Sequence, residues 1–245
     1  MDRSYLSDQA VVEASRAFVC ARLISFEDAE EARLMKRLMR GRGLVNTVFS
    51  ILDPSGQRPL VRPGRSPTRA YESGAAMAAA MDAIAERYPG ERAVAPSQLG
   101  LPALEDVRIA LNVTACDAQQ LVVLRGDPER IAALERRLVD LCWSKPLVGR
   151  FLYVRADSET DWSAVAGSED APEHGLLVVR SETYGLKGRV VASASHECSE
   201  KDLAQLLTQA AASFRPAVVD TRRLRRSGMR EGIRWKSELP LPRKR

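Results

Sequence analysis

The run Leu121-Val122-Val123-Leu124, followed three residues later by Asp127-Pro128, constrains this chain more than any other stretch. Four consecutive apolar residues with a β-branched centre read as a short buried strand. Aspartate caps a helix by accepting a free amide of its first turn, and a proline just inside gives up only an amide that had no partner. Behind Pro128, Ile131, Leu134, Leu138 and Leu141 form one apolar stripe. A strand that runs directly into such a helix is the basic step of an α/β protein.

The residues around this step extend the pattern. A helix is predicted near 104–113, and Phe151-Leu152-Tyr153-Val154 reads as the next strand, with a short polar helix around Trp162. Leu176-Leu177-Val178-Val179 and Arg189-Val190-Val191-Ala192 flank a turn at Tyr184-Gly185-Leu186-Lys187-Gly188 and form a hairpin. Ser199 with Asp202 caps a last helix whose face is Leu203, Leu206, Leu207, Ala210 and Phe214.

The first half is built similarly. Ser7 caps a short helix through Ala17, and Phe18-Val19-Cys20-Ala21-Arg22-Leu23 reads as a strand. Ser25 with Asp28 opens a helix carrying Ala32, Met35, Leu38 and Met39, which Gly41 stops. Thr47 to Leu52 is a second strand. Asp53-Pro54-Ser55-Gly56 is a turn in which proline presets φ and glycine tolerates positive φ, so Arg58-Pro59-Leu60-Val61 returns antiparallel. An alanine-rich helix with Tyr71, Met77, Met81, Ile84 and Tyr88 ends at Pro89-Gly90. Pro89, Gly90, Pro96, Gly100 and Pro102 then mark residues 89–102 as a linker.

The second half therefore reads strand, helix, strand, short helix, strand, strand, helix. The first reads in the same order without the opening strand, so two similar α/β units in tandem is the economical reading. This order resembles the thioredoxin fold, and in the first half the resemblance reaches individual residues. Ser7-Asp8-Gln9-Ala10-Val11 leading to Phe18-Val19, then Thr47-Val48-Phe49 and Asp53-Pro54-Ser55-Gly56, is similar to thioredoxin-like families in which a Cys-x-x-C helix runs into such segments. The likeness covers most of residues 4–88. It implies two tandem thioredoxin-like domains, each a central mixed sheet flanked by helices. They would span residues 1–88, N-terminally incomplete and lacking the opening strand, and residues 103–215, with a basic tail at 216–245.

The chain departs from these families where their chemistry resides. No Cys-x-x-C precedes Ser7, and Val45 and Asn46 stand where a cis-proline would precede the strand near Thr47. In the second half, where the resemblance rests on element order alone, it puts Arg125-Gly126-Asp127-Pro128 at the dithiol position and offers Pro172 as the counterpart of the cis-proline. Dithiol exchange needs a thiolate activated at a helix N-terminus and a second cysteine to resolve the mixed disulfide. Without them the resemblance implies a non-classical thioredoxin-like protein that acts as a protein-binding or scaffold module. Its partner-binding candidates are Val45, Asn46 and Thr47 together with Arg234, Trp235 and Lys236 of the tail. Two rivals stand beside this reading. One is a thiol-disulfide oxidoreductase whose Cys-x-x-C lies upstream of the given start, and the other is nucleic-acid binding through the tail.

Four cysteines, Cys20, Cys116, Cys142 and Cys198, stand at least 26 residues apart, which excludes zinc-knuckle and redox-pair spacings. Each lies in or beside an apolar segment and reads as a small core residue, with Cys20 and Cys116 the weak thiol candidates. His196-Glu197-Cys198 has only His174 as a further histidine, too few groups for a structural zinc. Gly41-Arg42-Gly43 follows no strand and lacks a third glycine, so no nucleotide loop is present. No cofactor and no metal are expected. Glu27, Asp28, Glu30 and Glu31 read as a solvated helix face.

No apolar run approaches the ~20 residues that span a bilayer, and Met1-Asp2-Arg3-Ser4-Tyr5 lacks a signal-peptide pattern, so no membrane partner and a cytoplasmic location are expected. The charge is uneven. Residues 222–245 carry ten Lys and Arg against two acids, within a chain of net charge +5, leaving the remainder acidic. That tail suits phosphate neutralisation. Its Ile233, Trp235 and Leu239 favour docking on a domain surface, and the linker is expected to be wrapped against protein.

Overall fold

The computed structural model describes residues 5–40, 47–89, 96–216 and 220–234. The chain is mixed α/β, with eight α-helices and one six-stranded mixed sheet among the described residues. It divides into two compact units, Met1–Ala93 and Val94–Arg234. No helix among the described residues is long and apolar enough to cross a membrane.

In the first unit Asp8, rather than Ser7, caps α1 (Gln9–Ala14), accepting from the Ala10 amide. Asp28 itself caps α2 (Ala29–Leu38), its carboxylate accepting from the Glu30 and Glu31 amides. Ser73 caps α3 (Gly74–Arg87). Val11, Ala14, Ile51, Met77, Ala78 and Met81 form the core, with the Phe49 and Tyr71 rings edge-on at 6.3 Å.

The sheet expected in this unit is not formed among its described residues. Phe18 to Leu23 lies outside any strand, with Val19 85% exposed, because β-forming side chains without a neighbouring strand have nothing to pair with. The two arms around Asp53 do meet antiparallel, but only through isolated bridges, Phe49 with Gly64 and Leu52 with Pro59. Pro59 and Pro63 remove amides that a ladder would need.

The second unit opens with α4 (Pro96–Leu99), inside the segment expected to be a linker. Leu101 is buried, and the Trp143 indole donates to the Gly100 carbonyl at 3.0 Å, so residues 96–102 pack on this unit. There follow β1 (Ala103–Leu104), α5 (Val107–Asp117), β2 (Gln120–Arg125), α6 (Pro128–Cys142), β3 (Phe151–Ala156), β4 (Val165–Ala166), β5 (Gly175–Ser181), β6 (Gly188–Ser195), α7 (Glu200–Ser213) and α8 (Thr221–Arg230). The strand order is β1-β3-β2-β5-β6-β4. β1, β3 and β2 run parallel, β5 is antiparallel to β2 and β6 to β5, and β4 pairs parallel with the start of β6.

β2 is central, and its apolar run is unexposed on both faces. Val122 and Leu124 meet Leu134 and Leu138 of α6 and Leu203 and Leu207 of α7. Leu121 and Val123 join Ala110 and Leu111 of α5 on the other face. Each fully buried Leu or Val contributes about 1.5–3 kcal/mol relative to exposure, so this strand anchors the unit. The caps fall as read: Asp127 accepts from the Arg130 amide with Pro128 in the first turn, and Ser199 from that of Asp202.

Three details differ. The helix after residue 104 begins at Val107. The short helix around Trp162 is replaced by turns in which the Asp157 and Asp161 carboxylates accept from the Glu159 and Ser163 amides, a local bonding that competes with helix. The peptide bond before Pro172 is trans.

Candidate functional site

In open sheets with parallel strands, functional groups gather beyond the carboxyl ends of those strands, and β2 ends at Arg125. The chain passes through Gly126, at φ +156°, to Asp127 and the start of α6. A Cβ at Gly126 would lie 3.3 Å from Arg130 Cβ and 3.5 Å from His174 Nδ1, so glycine lets the backbone run close beside the imidazole. Gly126 N–H donates to the Ala156 carbonyl at 3.1 Å, which ties the ends of β2 and β3.

Three segments far apart in sequence converge here: the first turn of α6, residues 172–174 before β5, and residues 195–197 at the end of β6. The His196 amide donates to the His174 carbonyl at 3.0 Å. Arg137 of α6 donates to the His196 carbonyl at 2.8 Å and to that of Cys198, fixing the turn between β6 and α7. The result is an open cleft of about 240 Å³ lined by Arg130, Pro172, Glu173, His174, His196 and Glu197. His174 Nδ1 and His196 Nε2 are both buried atoms with no hydrogen-bond partner among the described residues.

The electrostatics follow from the helix start. The Arg130 amide, assisted by the Arg130 side chain and the charge of His174, holds the Asp127 carboxyl below its ordinary range. Arg125 stacks its guanidinium 4.5 Å from the centre of the Trp162 ring and donates to the Ser168 carbonyl at 2.8 Å. This clamps the crossover between β3 and β5 over the strand ends. Arg155 pairs with Glu135 and Glu105; burial alone would lower its pKa, and the two carboxylates outweigh that and raise it. A larger groove of about 480 Å³ lies between β6 and α7, where Asp202, Gln205 and Gln209 face solvent and the half-buried Arg180 lays its guanidinium 5.6 Å from the centre of the Phe214 ring.

The cleft offers hydrogen-bonding groups of both kinds: two imidazoles, two carboxylates and the Arg130 guanidinium already shared with Asp127. Such a set suits a polar, extended ligand with alternating donors and acceptors. No cluster of three or more His, Cys, Asp or Glu able to hold a metal occurs among the described residues.

The candidates read from sequence lie elsewhere. Cys20 is exposed in the first unit, and Cys116 is exposed near the end of α5. Cys142 is buried, and burial, with the nearby Asp140 charge, pushes its thiol up to about 12. Cys198 is half-buried. Thr47 is exposed, whereas Val45 and Asn46 lie outside the described residues, as do Trp235 and Lys236 beyond the exposed Arg234. Ile233 is half-buried, and Leu239 lies outside the described residues. Sequence reading passed over Arg125, Arg130 and Trp162, although Asp127-Pro128 marked the place. No family model, curated protein or solved structure matches the chain.

Proposed function

We propose that the chain is a thioredoxin-like protein without a dithiol centre, which acts by binding an extended polypeptide in the cleft beyond β2. The observation that carries this reading is the start of α6. Where a redox helix would present its thiolate stands Asp127-Pro128, and beside it two imidazoles each hold a buried nitrogen without a partner among the described residues. The order β1-β3-β2-β5-β6, with three parallel strands followed by an antiparallel pair, supports the fold assignment. Thioredoxin-like folds grip extended chain beside this loop, so a polypeptide is the natural ligand class. Four unpaired cysteines suit a reducing, cytoplasmic setting.

A displayed random-peptide library selected on the full chain tests the reading. It is expected to enrich a consensus whose synthetic peptide loses at least tenfold in affinity to the variant H174A/H196A. An enriched peptide indifferent to those substitutions, or no consensus, overturns it. Insulin reduction by the chain is expected at background, and sustained turnover would overturn the assignment as a binder lacking dithiol chemistry.

A further inference from the structure

The acidic body and the basic C-terminal region meet in α8, and that helix is two-faced. Leu224 is half-buried and Gly228 buried. A Cβ at Gly228 would come within 3.0 Å of the Tyr184 ring, so this face sits closely on the turn between β5 and β6. Tyr184 Oη donates to Glu231 Oε1 at 3.3 Å, and the Ile233 amide closes the helix end onto the Gly228 carbonyl at 2.8 Å. The helix is thereby seated on the second unit.

Its other face is arginine. Arg222, Arg226 and Arg230 recur every four residues, about 6 Å apart along the axis, with Arg223 beside them and Arg225 at the flank. All five are exposed. None forms an ion pair among the described residues, although two acids are close. Asp220 uses its carboxylate on the Arg222 and Arg223 amides as the cap, and Glu231 uses its own on Ser227 and Tyr184. The acids that would neutralise this row are committed elsewhere.

We infer that α8 binds the phosphate backbone of a nucleic acid through Arg222, Arg223, Arg226 and Arg230. A row of unpaired, forked cations on a helix held by its opposite face matches a regularly spaced polyanion. Stable insertion into an anionic membrane surface would need a continuous exposed apolar face; among the described residues of α8, Met229 is the one exposed large apolar side chain, Leu224 is half-buried, and Gly228 sits against Tyr184. The segment beyond, with Arg234, Lys236, Arg243, Lys244 and Arg245, adds charge of the same sign.

The test is fluorescence anisotropy of the full chain with a labelled mixed-sequence DNA duplex of about two helical turns and with an oligothymidine of equal charge, between ~50 and ~200 mM salt. Four phosphate contacts predict a log–log salt slope near −3.6 on duplex, or about −2.8 on single strand. The variant R222Q/R226Q/R230Q keeps good helix formers, confirmed by unchanged circular dichroism. It is expected to flatten the duplex slope by about 2.7 and weaken binding at ~100 mM salt at least tenfold, while R136Q on α6 changes neither. Binding to either probe with these properties supports the inference. No binding at ~50 mM salt, a slope unchanged in the triple variant, or polyglutamate displacing the probe as well as unlabelled DNA at equal charge overturns it.

Discussion

Gly175→Ala is the sharpest test of how the cleft is built. Gly175 opens β5 immediately after His174 and stands at φ +157°, and a Cβ there would lie 2.1 Å from the Ala194 carbonyl oxygen, across the β5–β6 pair. A side chain rarely tolerates that backbone region, which costs about 1–3 kcal/mol. Relieving the contact also means prising β5 from β6 and loosening the adjacent bond from the His196 amide to the His174 carbonyl, about 0.5–1.5 kcal/mol more. Together these terms come to about 1.5–4.5 kcal/mol, with the 2.1 Å contact favouring the upper half, roughly 10 °C in Tm for a chain of this length. Gly149→Ala is the control, since Gly149 has φ +72° with nothing within 4 Å of an added methyl, so only left-handed strain of roughly 1–2 kcal/mol remains. Thermal unfolding followed by tryptophan emission in a W235F background reports on the second unit, which contains Trp143 and Trp162. A G175A variant that loses no more stability than G149A would refute the close packing of β5 on β6 at the cleft.

Two further outcomes follow from single groups. Cys20 and Cys116 are expected to react promptly with a thiol reagent at neutral pH, and Cys142, with its thiol pushed up to about 12, only on unfolding; prompt labelling of Cys142, located by peptide mapping, would contradict its burial. The Asp127 carboxyl is held low in the folded chain, so its stabilising effect is full above the ordinary value of about 3.9 and is lost as pH falls through the folded pKa. D127N, which still caps the helix, is expected to remove this acid dependence, while D127A lowers the urea midpoint at neutral pH; equal midpoints for D127A and the parent chain would show that the cap is dispensable.

What could be read in the sequence was what local chemistry decides. Asp127-Pro128 and Ser199 with Asp202 start helices because an apolar stripe at helical spacing follows each, and the unbroken run Leu121 to Leu124 already signalled a strand covered on both faces. Phe18 to Leu23 has the same β-forming character, but a strand exists only by pairing, and no edge among the described residues pairs with it. β1 is two residues long behind Pro102 and owes its existence to β3 alone. Around Trp162 the Asp157 and Asp161 side chains capture the amides a helix would have used. The cleft was illegible for a related reason. Its three segments are joined by the register of β5 on β2 and β6, and neither histidine carries a local pattern that betrays its neighbour.

The central position of β2 also sets a schedule for synthesis. Its apolar tetrapeptide can lean on α6 as soon as Cys142 has emerged, and β3 follows shortly, but its other edge stays open until Leu176 to Val179 leave the ribosome. At translation speeds of about 5–20 residues per second that interval lasts roughly 3–10 s, long compared with the microseconds in which apolar chain collapses. Through those seconds the nascent protein carries an unpaired, fully apolar strand edge, the kind of surface that holdase chaperones shield. Conditions that slow elongation between residues 125 and 179 therefore lower the yield of native chain without altering a single native contact.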